Sequence, residues 1–222
     1  MNEILSSKLI IDYYKNGIFP MSEHRDDANV FFISPKKRSI LPLDRMHVSR
    51  SLFRSIKQKK YQITTNSQFE KVILSCASPK YGRQKTWINS QIISIFLNLH
   101  TLKKAHSIEI WENSTLIGGI YGLAIGSTFF AESMFSRKSN ASKIALVWLV
   151  SSLRNSKFTL FDTQFITPHL ASLGCIEIEN KVFLNLLSKS IDNPLQFPDI
   201  NSDEFSNWEV VIEFLHEMRD IS

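Results

Sequence analysis

The stretch from residue 106 to residue 164 constrains the fold more than any other. His106–Glu112 (HSIEIWE) alternates, Asn113-Ser114 is a turn, and Thr115–Ile125 is a second strand. Gly126-Ser127 makes the next turn and Thr128–Phe135 a third strand. Strand-forming runs joined by two-residue turns make an antiparallel meander. Asn140 then caps NASKIALVWLVSSLRNSK, a helix apolar on most of its surface and therefore buried. The strand Phe158–Gln164 follows. A meander, a buried helix and a further strand predict an α+β fold.

The flanks read more simply. Residues 4–16 form a helix ending at Gly17, and short strands broken by Pro35 and Pro42 fill residues 28–48. A strand at Tyr61–Thr65 precedes a helix capped by Asn66 or Ser67 and running through Ser75. Residues 88–103 form another helix. HLASLG is a short helix ending at Gly174, Cys175–Ile178 a last strand, and residues 181–190 a helix. This divides the chain into a small basic N-terminal α/β lobe (1–60), a larger domain (61–198) and an acidic, helical tail (199–222).

Charge is uneven. The formal net charge is +5, yet residues 199–222 hold seven acids and one base, a net −6. Residues 36–60 hold nine Lys and Arg against Asp44 alone. In SRSLFRSIKQK, Arg50, Arg54 and Lys57 recur at helical spacing, with Leu52, Phe53 and Ile56 on the other face. With Lys59 and Lys60 they form a basic surface suited to a phosphate backbone, though without sequence information. A solvated Lys-rich face accounts for the same residues. In the tail, Trp208, Val211, Ile212 and Leu215 have the spacing of a docked helix. The alternative is a tail that mimics nucleic acid and competes for the basic surface.

Several classes are excluded. No apolar run approaches the roughly 18 residues of a membrane span. The N-terminus lacks the pattern of a signal peptide. Cys76 and Cys175 are too few for a disulfide framework or a Cys-only metal site, so a cytoplasmic protein is expected. His106 and His169 show no metal spacing and read as structural.

Three polar residues stand out. Glu132 lies in FFAESMF, where alternation puts Phe130, Glu132 and Met134 on one face and Phe129, Ala131, Ser133 and Phe135 on the other. Asp162 and Gln164 lie two apart in LFDTQF, on one face of a strand. A carboxylate beside an amide can orient a nucleophile's proton and accept or relay it. Ordinary hydrogen bonds at a strand end account for the pair equally well. Trp87, between a basic loop and a helix, either stacks on a nucleobase or packs in the core. The turn SRKSNASK lacks the glycines that hold a pyrophosphate at a helix start, which argues against a coenzyme A donor.

Together these stretches resemble the leucyl/phenylalanyl-tRNA–protein transferase family. The matching motifs are GIFP (17–20), ISP (33–35), HVSRS (47–51), TWI (86–88), AHSIEIW (105–111), GGIYG (118–122), ESMFSR (132–137), NASK (140–143), Asp162-x-Gln164 and H-x-ASLG (169–174). The resemblance implies an acetyltransferase-like (GNAT-like) fold for the C-terminal domain. It also implies transfer of Leu or Phe, with Met a further candidate, from aminoacyl-tRNA to a protein beginning with Arg or Lys. The product is marked for degradation by the N-degron route. No cofactor or metal is implied, and a monomer is expected.

By the same resemblance, Asp162 and Gln164 are the catalytic pair and Glu132 lies near the acceptor. Ile120, Phe129, Ala131, Met134, Leu146 and Phe161 line the pocket for the donor side chain. Trp87 and Tyr14 contact the terminal adenosine of the tRNA. Met21 stands where the family usually has Trp, Phe31-Phe32-Ile33 where it usually has a Trp pair before Ser-Pro, and Ala131 where Gly is common. The alternatives are a tRNA-binding protein without catalysis and a transferase with a different acceptor.

Overall fold

The computed structural model describes residues 6–79 and 86–220. Residues 4–5 of the expected first helix and the basic loop residues Lys80, Arg83 and Lys85 lie outside that range. The N-terminal half runs α1 (Ser7–Lys15), β1 (Phe19–Met21), β2 (Phe31–Ile33), β3 (Lys37–Ile40), α2 (Arg50–Lys57), β4 (Gln62–Thr65), α3 (Phe69–Ala77) and α4 (Ser90–Thr101). The meander follows as β5 (Ala105–Glu112), β6 (Thr115–Ile125) and β7 (Thr128–Ser136). Then come α5 (Ala141–Asn155), β8 (Leu160–Gln164), α6 (Pro168–Ala171), β9 (Ile176–Glu179), α7 (Asn180–Ile191) and α8 (Phe205–Asp220).

Seven strands form one mixed sheet in the order β4-β5-β6-β7-β8-β3-β9. Neighbours are antiparallel except β7 and β8, which α5 connects as a parallel pair. β1 and β2 pair separately. Each sheet face carries its own core. One gathers α2, α5 and α8, with Trp148, Leu149, Phe53 and Leu215 buried. The other gathers α1, α3, α4 and α7, with Tyr14, Val72, Phe96 and Phe183 buried.

The boundary expected near residue 60 does not separate two units. β3, from the expected N-terminal lobe, lies between β8 and β9, and α2 packs in the same core as α5. Two short helices and three short strands bury too little apolar surface to stand alone, so β3 joins the larger sheet and α1 and α2 pack into the cores on its two faces.

Two local expectations, both of helix caps, are also corrected, and the docked helix expected of the tail is present. Asn66 does not cap α3: its side chain accepts the Ser107 N–H, and the carboxyl of Glu109 on β5 receives the N–H groups of Ser67 and Gln68. Asn140 occupies the N-cap of α5 in a left-handed conformation (φ 67°) without a side-chain cap bond. The Ser142 N–H donates instead to Ser136 Oγ at 3.3 Å. The acidic tail becomes α8, whose Val211, Phe214, Leu215 and Met218 are buried against α5 and α2, while Glu209, Glu213 and Glu217 face outward. Glu217 pairs with Arg154 of α5 at 2.5 Å.

Two motif glycines have steric explanations. A Cβ on Gly118 would lie 2.6 Å from the Ala141 Cβ, so β6 meets the start of α5 only without a side chain there. A Cβ on Gly122 would collide with the Phe130 carbonyl oxygen.

Candidate active site

The parallel pairing of β7 with β8 runs from Thr128↔Leu160 to Phe130↔Asp162 and stops there. Beyond that point β7 stays with β6 and β8 with β3. The two strands therefore part in the middle of the sheet, and a cleft of about 450 Å³ fills the gap. That volume suits a small ligand or one substrate side chain.

A bulge shapes its wall. Tyr121 pairs with Ser133 and Gly122 with Ala131, so Glu132 is an extra residue in β7. The expected alternation breaks here. Ala131 and Met134, placed on opposite faces by a regular strand, both pack toward the core that holds α5, while Phe130 and Phe135 pack toward the other. The cleft's apolar wall follows from this, with Ile120, Ala131, Met134, Leu146 and Phe161 lining it.

The opposite bank is the end of β8. Gln164 holds φ at +56°, in the left-handed region, and its backbone N–H donates to Asp162 Oδ1 at 2.9 Å. Its side-chain Nε2 reaches Glu132 Oε1 across the gap at 3.4 Å. The Tyr14 hydroxyl donates to the same Oε1 at 2.8 Å. Burial pushes the Glu132 carboxyl up to about 8; the Tyr14 hydrogen bond opposes that shift, Asp162 adds to it, and Arg38 opposes it. Burial, then Glu132, raises the Tyr14 hydroxyl.

Asp162 is turned away from the cleft. Arg38 Nε donates to Asp162 Oδ1 at 2.8 Å and Nη2 to Oδ2 at 2.6 Å, with both side chains fully buried. The remaining rim comes from Phe19 and Met21 on β1, Trp87, and His169 and Leu170 of α6.

The structure thus brings together Glu132, Gln164, Trp87 and five of the six residues expected in the donor pocket. Phe129 is the exception: it is buried behind the wall, 5.6 Å from Phe161 between ring centroids. Tyr14 is corrected as well. Its ring is 0% exposed and lies edge-on to Phe130, so it presents no face to a nucleobase. Arg50, Arg54, Lys57, Lys59 and Lys60 lie on α2 and just after it, all exposed, and among the described residues none is paired with a carboxylate. Lys59 Nζ sits 4.9 Å from the Trp208 ring of α8.

Sequence reasoning missed Arg38, which it counted as one more charge in a basic stretch; His169, read as structural, lies on the cleft rim. The signal for Arg38 was an arginine inside a short strand. No group of three or more His, Cys, Asp or Glu among the described residues is placed to hold a metal ion. No helix among them is long and apolar enough to cross a membrane.

An apolar wall facing a carboxyl and an amide, set where parallel strands part, is a site that can hold an apolar side chain beside a reacting polar group. A family model described as leucyl/phenylalanyl-tRNA protein transferase matches residues 40–188. A protein of that name from Novosphingobium aromaticivorans is 49% identical over 183 residues, which are 82% of this chain and 70% of the relative. Its counterpart from Ruegeria sp. is 47% identical over 193 residues, 87% of this chain and 90% of that one. The one from Zymomonas mobilis is 44% identical over 211 residues, 95% and 77% of the two chains. The chain belongs to the leucyl/phenylalanyl-tRNA protein transferase family. Among solved structures, L-PGS from Bacillus licheniformis superposes at a TM-score of 0.40 and 14% identity, over 72% of this chain and 53% of that one, a likeness too low to argue from.

Proposed function

We infer that the protein moves Leu or Phe from aminoacyl-tRNA to the N-terminal amine of a protein. The observation that carries this reading is the cleft itself: its apolar wall fits an unbranched or γ-branched side chain, and Glu132 and Gln164 meet across its floor. The donor side chain lies against Met134, Leu146 and Phe161, which holds the ester carbonyl near Gln164. Met would fit the same wall.

The acceptor's neutral α-amine attacks the carbonyl carbon. A C–N bond forms, the C–O bond to the terminal ribose breaks, and one amine proton ends on the departing ribose oxygen. The ester already stores the energy, so the protein supplies positioning and manages one proton. Gln164 Oε1 accepts a hydrogen bond from the amine and aims its lone pair. Glu132 faces the acceptor's positive charge, which favours its carboxylate form. That chemistry selects acceptors beginning with Arg or Lys, and their products enter the N-degron route.

Trp87 stacks on the terminal adenine at the cleft rim. The exposed basic side chains of α2 track the tRNA backbone, on the same sheet face as α5, whose Ser142 and Leu146 line the cleft. The parting of a parallel strand pair at the site supports an acetyltransferase-like reading of the fold. The reaction needs no cofactor, and the protein works as a cytoplasmic monomer.

The test is transfer of radiolabelled Leu or Phe from charged tRNA to a peptide beginning with Arg, beside a matched acetyl-Arg peptide. Transfer to the free amine alone supports the reading. Binding of charged tRNA without transfer would contradict it.

A further inference from the structure

Arg38 is a buried charge engaged by hydrogen bonds and ring contacts around its guanidinium. It is 0% exposed, on the short strand β3. Its guanidinium donates to both oxygens of Asp162, and Nη1 donates to the Gly17 carbonyl at 2.9 Å. Its Cζ lies 4.6 Å from the ring centroids of Phe19 on one side and Phe183 on the other. Burying such a pair is a poor route to stability, since desolvation cancels much of the attraction. A fixed planar fork is, however, a good way to hold a carboxylate in one orientation.

The orientation matters because of what Asp162 does next. The Asp162 Oδ1 that receives Arg38 Nε also receives the Gln164 backbone N–H, where the chain is in the left-handed region. Gln164 has no glycine's freedom there, so an outside contact must hold it. That backbone turn aims the Gln164 side chain across the gap toward Glu132.

We propose that Arg38 is a positioning residue for the transfer reaction: by clamping both oxygens of Asp162 it fixes the acceptor for the Gln164 N–H, and so sets the direction of the Gln164 amide in the cleft. The inference rests on the functional reading above and adds to it a residue far away in the chain. Asp162 then acts on the reaction through the Gln164 backbone. Lysine at position 38 would keep the charge but not the fork, because an ammonium is a point donor without fixed planar geometry.

The experiment is a cycle of single-turnover rates with Phe-tRNA and an Arg peptide: wild type, Arg38→Lys, Gln164→Ala and both together, with melting curves confirming the fold. Arg38→Lys is expected to slow transfer about 10- to 100-fold, as a small misplacement of a reacting group does. In the Gln164→Ala background the same change is expected to cost less than about twofold, because its effect runs through that side chain. The concentration of charged tRNA giving half-maximal rate stays unchanged. Equal factors in the two backgrounds, or no slowing by Arg38→Lys, overturns the proposal.

A second variant, Arg38→Met with Asp162→Asn, removes both charges and keeps an oxygen at position 162, so it guards against a folding failure of the first. Slow transfer from a folded double variant supports the clamp; a wild-type rate overturns it. Absence of transfer by the wild-type protein overturns the functional reading, and this inference with it.

Discussion

Asp162 Oδ1 accepts the backbone N–H of Gln164 at 2.9 Å, and Gln164 sits at φ +56°. The carboxylate and the amide thus meet through the backbone of the second residue rather than side chain to side chain. A left-handed conformation costs a non-glycine residue about 1–2 kcal/mol. Gln164→Gly should therefore leave stability unchanged or raise it by up to about 1 kcal/mol, while transfer falls about 100-fold. Thermal melting and single-turnover rates on one preparation would check both halves.

Glu132 ties stability to pH. Burial pushes the folded carboxyl up to about 8 from an ordinary value of 4.5, so between those values the native state holds a proton that the unfolded chain has released. Stability should fall as pH rises between those two values and change little from this group outside them. Glu132→Gln cannot ionise and should flatten that slope. Melting temperatures of both proteins from pH 5 to pH 9 would show it, and parallel slopes would rule it out.

The same group sets the pH dependence of acceptor use. The cationic side chain of an acceptor's Arg or Lys, docking beside Glu132, drives out its proton below about pH 8. KM for an Arg peptide should therefore drop as pH rises from 6 to 8. In Glu132→Gln, KM should be higher and lose this component.

Ala131 lines the cleft together with Phe161 and Leu146. Ala131→Gly removes one methyl from the donor wall, and such a difference is worth about 10- to 200-fold in discrimination. The ratio of kcat/KM for Phe-tRNA over Leu-tRNA should rise, toward the low end of that range. Competition between the two charged tRNAs would measure it.

The exposed face of α2 should act on binding alone. Arg50→Ala with Arg54→Ala should weaken tRNA affinity and reduce the slope of log affinity against log salt by about 0.7–0.9 for each phosphate left without its cation. The rate at saturating charged tRNA should hold. Filter binding at several salt concentrations separates this from a folding defect.

Much of the architecture is legible in the chain because it is set by local pattern. The meander at β5–β7, the buried helix α5 and the basic face of α2 follow from periodicity and two-residue turns, and the tail docks through the spacing of Trp208, Val211, Ile212 and Leu215. What escaped depends on long-range pairing. The insertion of β3 between β8 and β9 joins residues more than a hundred apart, and nothing local announces it. The bulge at Glu132 adds one residue to a strand and reverses the faces of all that follow, so regular alternation misplaced Met134. Tyr14 is legible as an aromatic near the start of the chain, but only the fold shows its hydroxyl spent on a buried carboxyl.

The most direct test of the central claim is the single-turnover rate of Phe transfer from tRNA to an Arg peptide by wild type and Gln164→Ala, with tRNA affinity measured alongside. A rate reduced about 100-fold at unchanged affinity is the expected result, since it places the reacting amine beside Gln164 in the gap between β7 and β8. An undiminished rate in Gln164→Ala would contradict it, and would move the chemistry out of that cleft.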